Sequence, residues 1–164
     1  MLKFNVVDNL LKKTRDLTDE EAKKISDLIK KNTLESATGE YGKEELKYLT
    51  EIKTPELIKK RASNGLTVYV TNEKGEVIGC GMVVKRKGRY ESKYLHIRKD
   101  YRGQGLARKL CDIREDRLRQ IGVKELYIES LKFEHTLKFH RLRGFKETGE
   151  KTSRGLVVIM KKKL

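Results

Sequence analysis

The sequence is poor in cysteine and histidine. Two cysteines, Cys80 and Cys111, cannot build a disulfide framework, and both sit among apolar neighbours where a small buried thiol is expected. His135 and His140 are five apart, a spacing that suits neither pairing on one helical face, and His96 stands alone in a strand-like run, so no metal site is expected. Long apolar runs are missing too. Nothing approaches the roughly 20 residues that a membrane span needs. The opening Met-Leu-Lys-Phe-Asn lacks the apolar core of a signal peptide. The expectation is a soluble, intracellular protein of the cytoplasm with no membrane partner. Internal repeats and low-complexity linkers are also lacking.

What is present fits one domain over residues 1–164, long enough to bury about two-thirds of its unfolded surface. The net charge of +15 is uneven. Residues 1–60 carry 13 basic and 12 acidic side chains, so nearly all of the excess lies in residues 61–164. Such asymmetry points to an anionic partner on one face, or to a heavily solvated lysine-rich surface.

Local patterns divide the chain. Residues 2–7 suit a short first strand. Thr18-Asp-Glu-Glu21 is a capping box with acids in the first turn, opening a helix to about Lys31 whose stripe is Ala22, Ile25, Leu28 and Ile29. Residues 32–43 read as loop by composition. A short helix is expected over 44–52, and another from the Thr54 cap and Pro55 to Asn64-Gly65. The period then changes to that of strands. Residues 66–71, 76–85 and 90–98 form an antiparallel meander with turns at 72–75 and 86–89. A strand over 124–130, a helix over 134–142 and a closing hairpin of 145–149 with 155–161 complete an α+β fold with one mixed sheet.

The most informative stretch is residues 93–121. Tyr94-Leu95-His96-Ile97 is of strand type, Arg102-Gly103-Gln104-Gly105 is a tight loop, and from Leu106 the apolar residues fall at helical spacing. Strand, glycine loop and helix together can cradle a phosphate. The first amides of a helix lack internal partners, the aligned dipoles favour an anion, and glycine lets it approach. A Rossmann fingerprint would want a small residue at Arg108, and a Walker loop would want Gly-Lys-Ser/Thr. Neither is present. A ligand-free turn remains the simple alternative.

Arg102-x-x-Gly105-x-Ala107 behind a strand, with Gly144-Phe145 after a further strand and helix, resembles the signature of the GNAT (Gcn5-related N-acetyltransferase) superfamily. The resemblance covers roughly residues 65–162 and implies the GNAT acyl-CoA N-acyltransferase fold, a mostly antiparallel central sheet flanked by helices. It implies acetyl-CoA as co-substrate and no metal. Leu95, His96 and Ile97 would pair through their backbone with the pantetheine arm. The pyrophosphate would rest on the amides of Gly103, Gln104, Gly105, Leu106 and Ala107, with Arg102 beside it and Phe139 also on the cofactor side. By position Glu91 is the candidate general base, the alternative being a solvated glutamate beside Lys93 with the proton leaving through water. The family often carries Phe-Tyr before its terminal Gly-Phe, where the tyrosine protonates the departing thiolate. Here the pair is Phe139-His140, so His140 takes that place, as a donor or as a bystander. Phe133 stands where an asparagine often meets the cofactor.

The implied activity is acetyl transfer to a primary amine of a small molecule, a lysine or an N-terminus. The acceptor is expected between residues 33–53 and the closing hairpin, where Glu40, Glu44, Glu45, Glu147 and Glu150 would form an acidic rim suited to a cationic amine. The alternative is a CoA-binding protein of this fold with weak or no transfer, using its basic half on RNA or a protein partner. A homodimer is a further possibility. Arg114 and Arg117 interrupt the apolar side of the central helix, where only their stems are expected to pack.

Overall fold

The computed structural model describes every residue except Thr38 and Ser153. Among the described residues, seven strands form one sheet in the order β1-β2-β3-β4-β5-β7-β6. They are β1 (Lys3–Asp8), β2 (Gly65–Thr71), β3 (Val77–Arg86), β4 (Arg89–Ile97), β5 (Glu125–Leu131), β6 (Lys146–Glu147) and β7 (Val157–Lys163). Every pairing is antiparallel except that of β4 with β5. The α-helices among the described residues are α1 (Asp19–Ala37), α2 (Lys43–Glu51), α3 (Pro55–Ala62), α4 (Leu106–Gln120) and α5 (Glu134–Leu142). This is the mixed-sheet α+β architecture expected of the sequence.

Both faces of the sheet are covered. Along β2, Leu66, Val68 and Val70 join the cluster built with α4, β5 and α5, while Tyr69 joins the cluster under α1 and α3. Alternate side chains of one strand therefore feed two cores, which is why β2 and β3 read as nearly continuous apolar runs. Cys80 is one of these core residues, and burial pushes its thiol up to about 12. Both cysteines are buried and free.

The signalled helix starts are present. Thr18 Oγ1 accepts from the Glu21 N–H at 3.1 Å while the Glu21 carboxylate accepts from the Thr18 N–H at 2.8 Å. Thr54 accepts from the Leu57 N–H, with Pro55 at the first helical position. The loop expected over 32–43 is a correction. α1 runs on to Ala37 and α2 starts at Lys43, while Thr38 lies outside the described residues. Asn32, Thr33 and Ala37 are buried, so packing of this extra turn and a half overrides the polar, turn-like composition. In the closing hairpin the described pairing is shorter on its first side, Lys146–Glu147 against β7. Among the described residues no helix is long and apolar enough to cross a membrane, and no group of three His, Cys, Asp or Glu side chains is placed to hold a metal ion.

Arg114 is also a correction. It does not reach for solvent; it is 2% exposed. Its guanidinium donates to Met82 O at 3.0 Å, Ser92 Oγ at 2.6 Å and Leu110 O at 3.0 Å. A Cβ at Gly81 would meet its Cζ at 2.9 Å, so glycine at that point of β3 makes the room. Arg117 instead leaves the apolar side to pair with Asp8 at 2.5 Å.

Candidate active site

The site begins where β4 and β5 part. Their parallel pairing spans Glu91 with Tyr127 and Ser92 with Ile128, and ends there. β4 stays paired with β3 as far as Ile97, and β5 with β7 as far as Leu131. Two well-held strands thus diverge, leaving the facing backbone edges of residues 93–97 and 129–131 without each other as partners. Unpaired strand edges are ready to accept an extended, amide-bearing chain.

A bulge drives the divergence. Tyr94 and Leu95 together oppose Gly81, since the register passes from Cys80–His96 to Met82–Lys93. Tyr94 takes φ 58°, a left-handed conformation that is rare and costly for an aromatic residue, and this turns β4 aside. Behind it, Arg114 ties β3 to Ser92, the last β4 residue paired with β5.

The opening is a cavity of about 430 Å³. Leu95, His96 and Ile97 line it from β4, Arg102 and Ala107 from the glycine turn and α4, and Phe139 and His140 from α5. These expected residues are therefore brought together. Thr136 lines it as well, one helical turn before His140, as spacing on one helix face requires. Gly103, Gln104, Gly105 and Leu106 form the turn at its end rather than its wall. Gly103 and Gly105 both have φ 77°, where a side chain would be strained. Gly105 caps α4 without any side-chain hydrogen bond, so the first amides of α4 are left for a ligand. Leu106 itself is buried in the core.

Glu91 is placed elsewhere. It is 3% exposed, lines neither of the two cavities described here, and lies among Lys93 at 3.3 Å, Arg89 at 3.4 Å and Arg86 at 4.0 Å. It is not a solvated glutamate. The carboxylate facing the cavity is Glu129, one strand over and bound to Lys93 at 2.8 Å. Burial alone would raise the Glu129 carboxyl, but the Lys93 hydrogen bond, with Lys93 and Arg86 charge, holds it below the usual range, so it is ionised at neutral pH. A charged residue in the middle of an apolar strand was its available signal.

Two of the cavity's histidines, His96 and His140, are neutral at pH 7. Burial, then the charges of Lys53 and Arg102, lowers His96 to about 4. Burial, then Arg114 and Arg143, lowers His140 to about 4. His140, expected as a donor or a bystander, is thus a neutral ring that can offer an N–H.

The extension of α1 adds wall residues that the loop reading concealed. Asn32, Thr33 and Ser36 line the cavity opposite α5. Asn32 Nδ2 donates to Ile97 O at 2.8 Å, which Arg102 Nε also holds at 3.0 Å, whereas the buried Asn32 Oδ1 has no hydrogen-bond partner among the described residues. Phe133, in place of the family's asparagine, lies edge-on to Tyr41 and stacks on His135. The Tyr41 hydroxyl donates to Leu156 O at 2.7 Å and accepts from the Lys132 N–H at 3.1 Å, joining the α1–α2 connection to the far rim.

A second, smaller cavity of about 110 Å³ adjoins the first and shares Thr33, Lys93, Tyr94, His96, Glu129 and Leu131 with it. Lys53, between α2 and α3, enters it with Nζ 5.0 Å from the centre of the Tyr94 ring. Burial, reinforced by Lys93 and Arg61 and opposed weakly by Glu129, lowers Lys53 to about 8. None of Glu40, Glu44, Glu45, Glu147 and Glu150 lines either cavity.

Known proteins share this fold. Solved structures align along nearly the whole chain. An N-acetyltransferase (PaiA) of Thermoplasma acidophilum in complex with coenzyme A has a TM-score of 0.77 at 17% identity, covering 99% of both chains. A GNAT-family acetyltransferase of Staphylococcus aureus Mu50 has 0.71 at 14%, again over 99% of both. A GCN5-related N-acetyltransferase of Rhodopseudomonas palustris has 0.72 at 19%, over 92% of this chain and 94% of its own. At these identities the likeness establishes the fold. No curated protein matches the chain. The family model of the acetyltransferase (GNAT) domain matches residues 37–164, from the end of α1 through β7, and so takes in the parted strands, the glycine turn and α5. The chain belongs to the GNAT acetyltransferase family and is an acyltransferase.

Proposed function

We propose that the protein moves the acetyl group of acetyl-CoA to a primary amine. The observation that carries this reading is the parting of β4 from β5 directly before an uncapped helix start bearing two left-handed glycines. The residues suit the co-substrate. The open edge of Leu95–Ile97 offers amide and carbonyl groups to the pantetheine arm, and the orphan Asn32 Oδ1 lies on the same wall to accept one of its N–H groups. The turn Gly103–Gly105 and the first amides of α4 meet the pyrophosphate, with Arg102 and Arg108 exposed beside them.

Bound acetyl-CoA supplies an activated acetyl group. The chain's own task is to hold the amine beside it and to manage two protons. Glu129 shares both cavities and is ionised, so it attracts and orients the incoming ammonium. Its lowered pKa makes it a weak base, and the first proton passes on to water. Buried Glu91 serves by anchoring Lys93, which in turn fixes Glu129. His140 offers a neutral N–H toward the departing sulfur.

Thiol release from acetyl-CoA across a panel of primary amines tests the proposal, alongside thermal unfolding with and without CoA. At about 100 times the dissociation constant, the ligand is expected to stabilise the fold by about 2.7 kcal/mol. Gly105→Glu puts a side chain and a negative charge at the pyrophosphate position and is expected to abolish that gain. Stabilisation by CoA with no thiol release from any amine would instead support a CoA-binding role.

A further inference from the structure

We propose that the acceptor carries a carboxylate as well as its amine, the carboxylate held by Lys53 and the amine facing Glu129, as in a small amino acid. This inference rests on the acetyltransferase reading and deepens it.

The two lysines that line the smaller cavity differ in their partners. Lys93 is satisfied by Glu129 at 2.8 Å and Glu91 at 3.3 Å. Lys53 is not: among the described residues its Nζ donates no hydrogen bond and joins no ion pair, and it lies 5.0 Å from the centre of the Tyr94 ring. Lys93 and Arg61 add positive charge around it, and Glu129, already bound to Lys93, offsets little of this. The remaining wall is mainly apolar, from Ile29, Leu49, Leu131 and Val157. A cation held against such a wall without a counter-ion costs free energy until an anion arrives.

Lys53 is also fixed in place. Ser26 Oγ donates to its carbonyl, and its own N–H donates to Thr50 O at 3.1 Å, so the connection from α2 to α3 is pinned to α1. Three of the five glutamates expected to attract a cationic amine are engaged: Glu45 accepts from the Gly42 N–H, Arg141 holds Glu147, and Arg89 holds Glu150. A polyamine entering here would put a second cation against Lys53. A zwitterion puts its ammonium at Glu129 and its carboxylate at Lys53, and the small volume limits the rest of it to a short apolar side chain. In the transfer, the ammonium yields one proton to water, the N–C bond forms as the C–S bond breaks, and the second proton ends on the sulfur of CoA.

Binding of acetylated products isolates the recognition from turnover. The protein saturated with CoA is titrated calorimetrically with N-acetylalanine, N-acetylvaline and N-acetylleucine, each beside its carboxamide, and with N-acetylputrescine. At least one acid is expected to bind tenfold or more tightly than its carboxamide and than the acetylated diamine. Lys53→Met should erase that preference and Lys53→Arg retain part of it, with unfolding curves showing that both variants fold. Equal binding of acids and carboxamides, or binding of none, overturns the proposal, as does mass-spectrometric detection of acetyl-Lys53 as the main product. Thiol release separates the two readings. Turnover of carboxylate-free amines as fast as amino acids overturns the carboxylate and leaves the acetyltransferase standing, whereas failure of CoA to bind overturns the acetyltransferase itself.

Discussion

Arg114 on α4 donates to Ser92 Oγ at 2.6 Å, and Ser92 is the last residue at which β4 still pairs with β5. One buried guanidinium therefore fixes the point from which the cavity opens. Its second hold, on Met82 O, ties the same point to β3 beside the glycine that faces the bulge.

Arg114→Met should destabilise the protein by about 1–3 kcal/mol, because Met82 O and Ser92 Oγ lose a buried donor. Denaturant unfolding measures this. Gly81→Ala forces the guanidinium aside and is expected to act in the same direction. If the two substitutions together cost the sum of their separate effects, the glycine and the arginine do not act as one unit.

Asn32→Ala should weaken CoA binding about tenfold while leaving the fold intact, since it removes both a cavity-lining amide and one of two donors to Ile97 O. Titration with CoA checks it. Unchanged affinity would mean that Asn32 only braces β4.

The pH response of His140 follows from its surroundings. Burial first, then Arg114 and Arg143, holds it at about 4 in the folded protein against about 6.5 in the unfolded chain. Between those values the unfolded chain binds a proton that the folded one refuses, so stability is full above about pH 6.5 and falls as the pH drops toward 4. His96 adds to the same loss. His140→Phe should flatten part of this slope in unfolding measured from pH 4 to 7. Catalysis should show no break near pH 6.5 from this group, and His140→Ala should lower kcat more than it weakens CoA binding. A rate that follows an imidazolium titrating near 6.5 would contradict the neutral ring.

Lys53 works in the opposite window. Burial, with Lys93 and Arg61, lowers it to about 8 from 10.5, so its protonation opposes folding fully below about pH 8 and progressively less up to 10.5. Lys53→Met is expected to be more stable than the natural protein at pH 7, with the difference narrowing by pH 10. Thermal unfolding at the two pH values checks this. A variant less stable at pH 7 would show that the lysine stem and its contact with Tyr94 outweigh the charge.

Much of the architecture was legible because it is written locally. The Thr18 and Thr54 caps, the strand-type runs of β2 to β4 with their turns and the helical spacing after Leu106 each lie within a few residues of the structure they specify. The glycine turn was legible for the same reason: positive φ at Gly103 and Gly105 is a property that the residue type itself permits. Where local composition and tertiary packing disagreed, packing prevailed. Residues 32–37 read as loop, yet their buried face against β4 keeps them helical, and that extension puts Asn32 and Thr33 in the cavity.

The sequence by itself determined the order of elements, the glycine turn before α4 and the family, because each depends on neighbours along the chain. The tertiary structure alone decided which charges meet. Glu91 and Glu129 are both glutamates on strands, but the end of β4–β5 pairing after Ser92 and Ile128 leaves Glu91 inside an ion-pair cluster and opens Glu129 to the cavity. His140 and Lys53 look like ordinary titratable residues in the sequence. Their shifted protonation comes from burial and from like charges brought in from β4, α3, α4 and the end of α5, and no spacing along the chain records distances between elements so far apart.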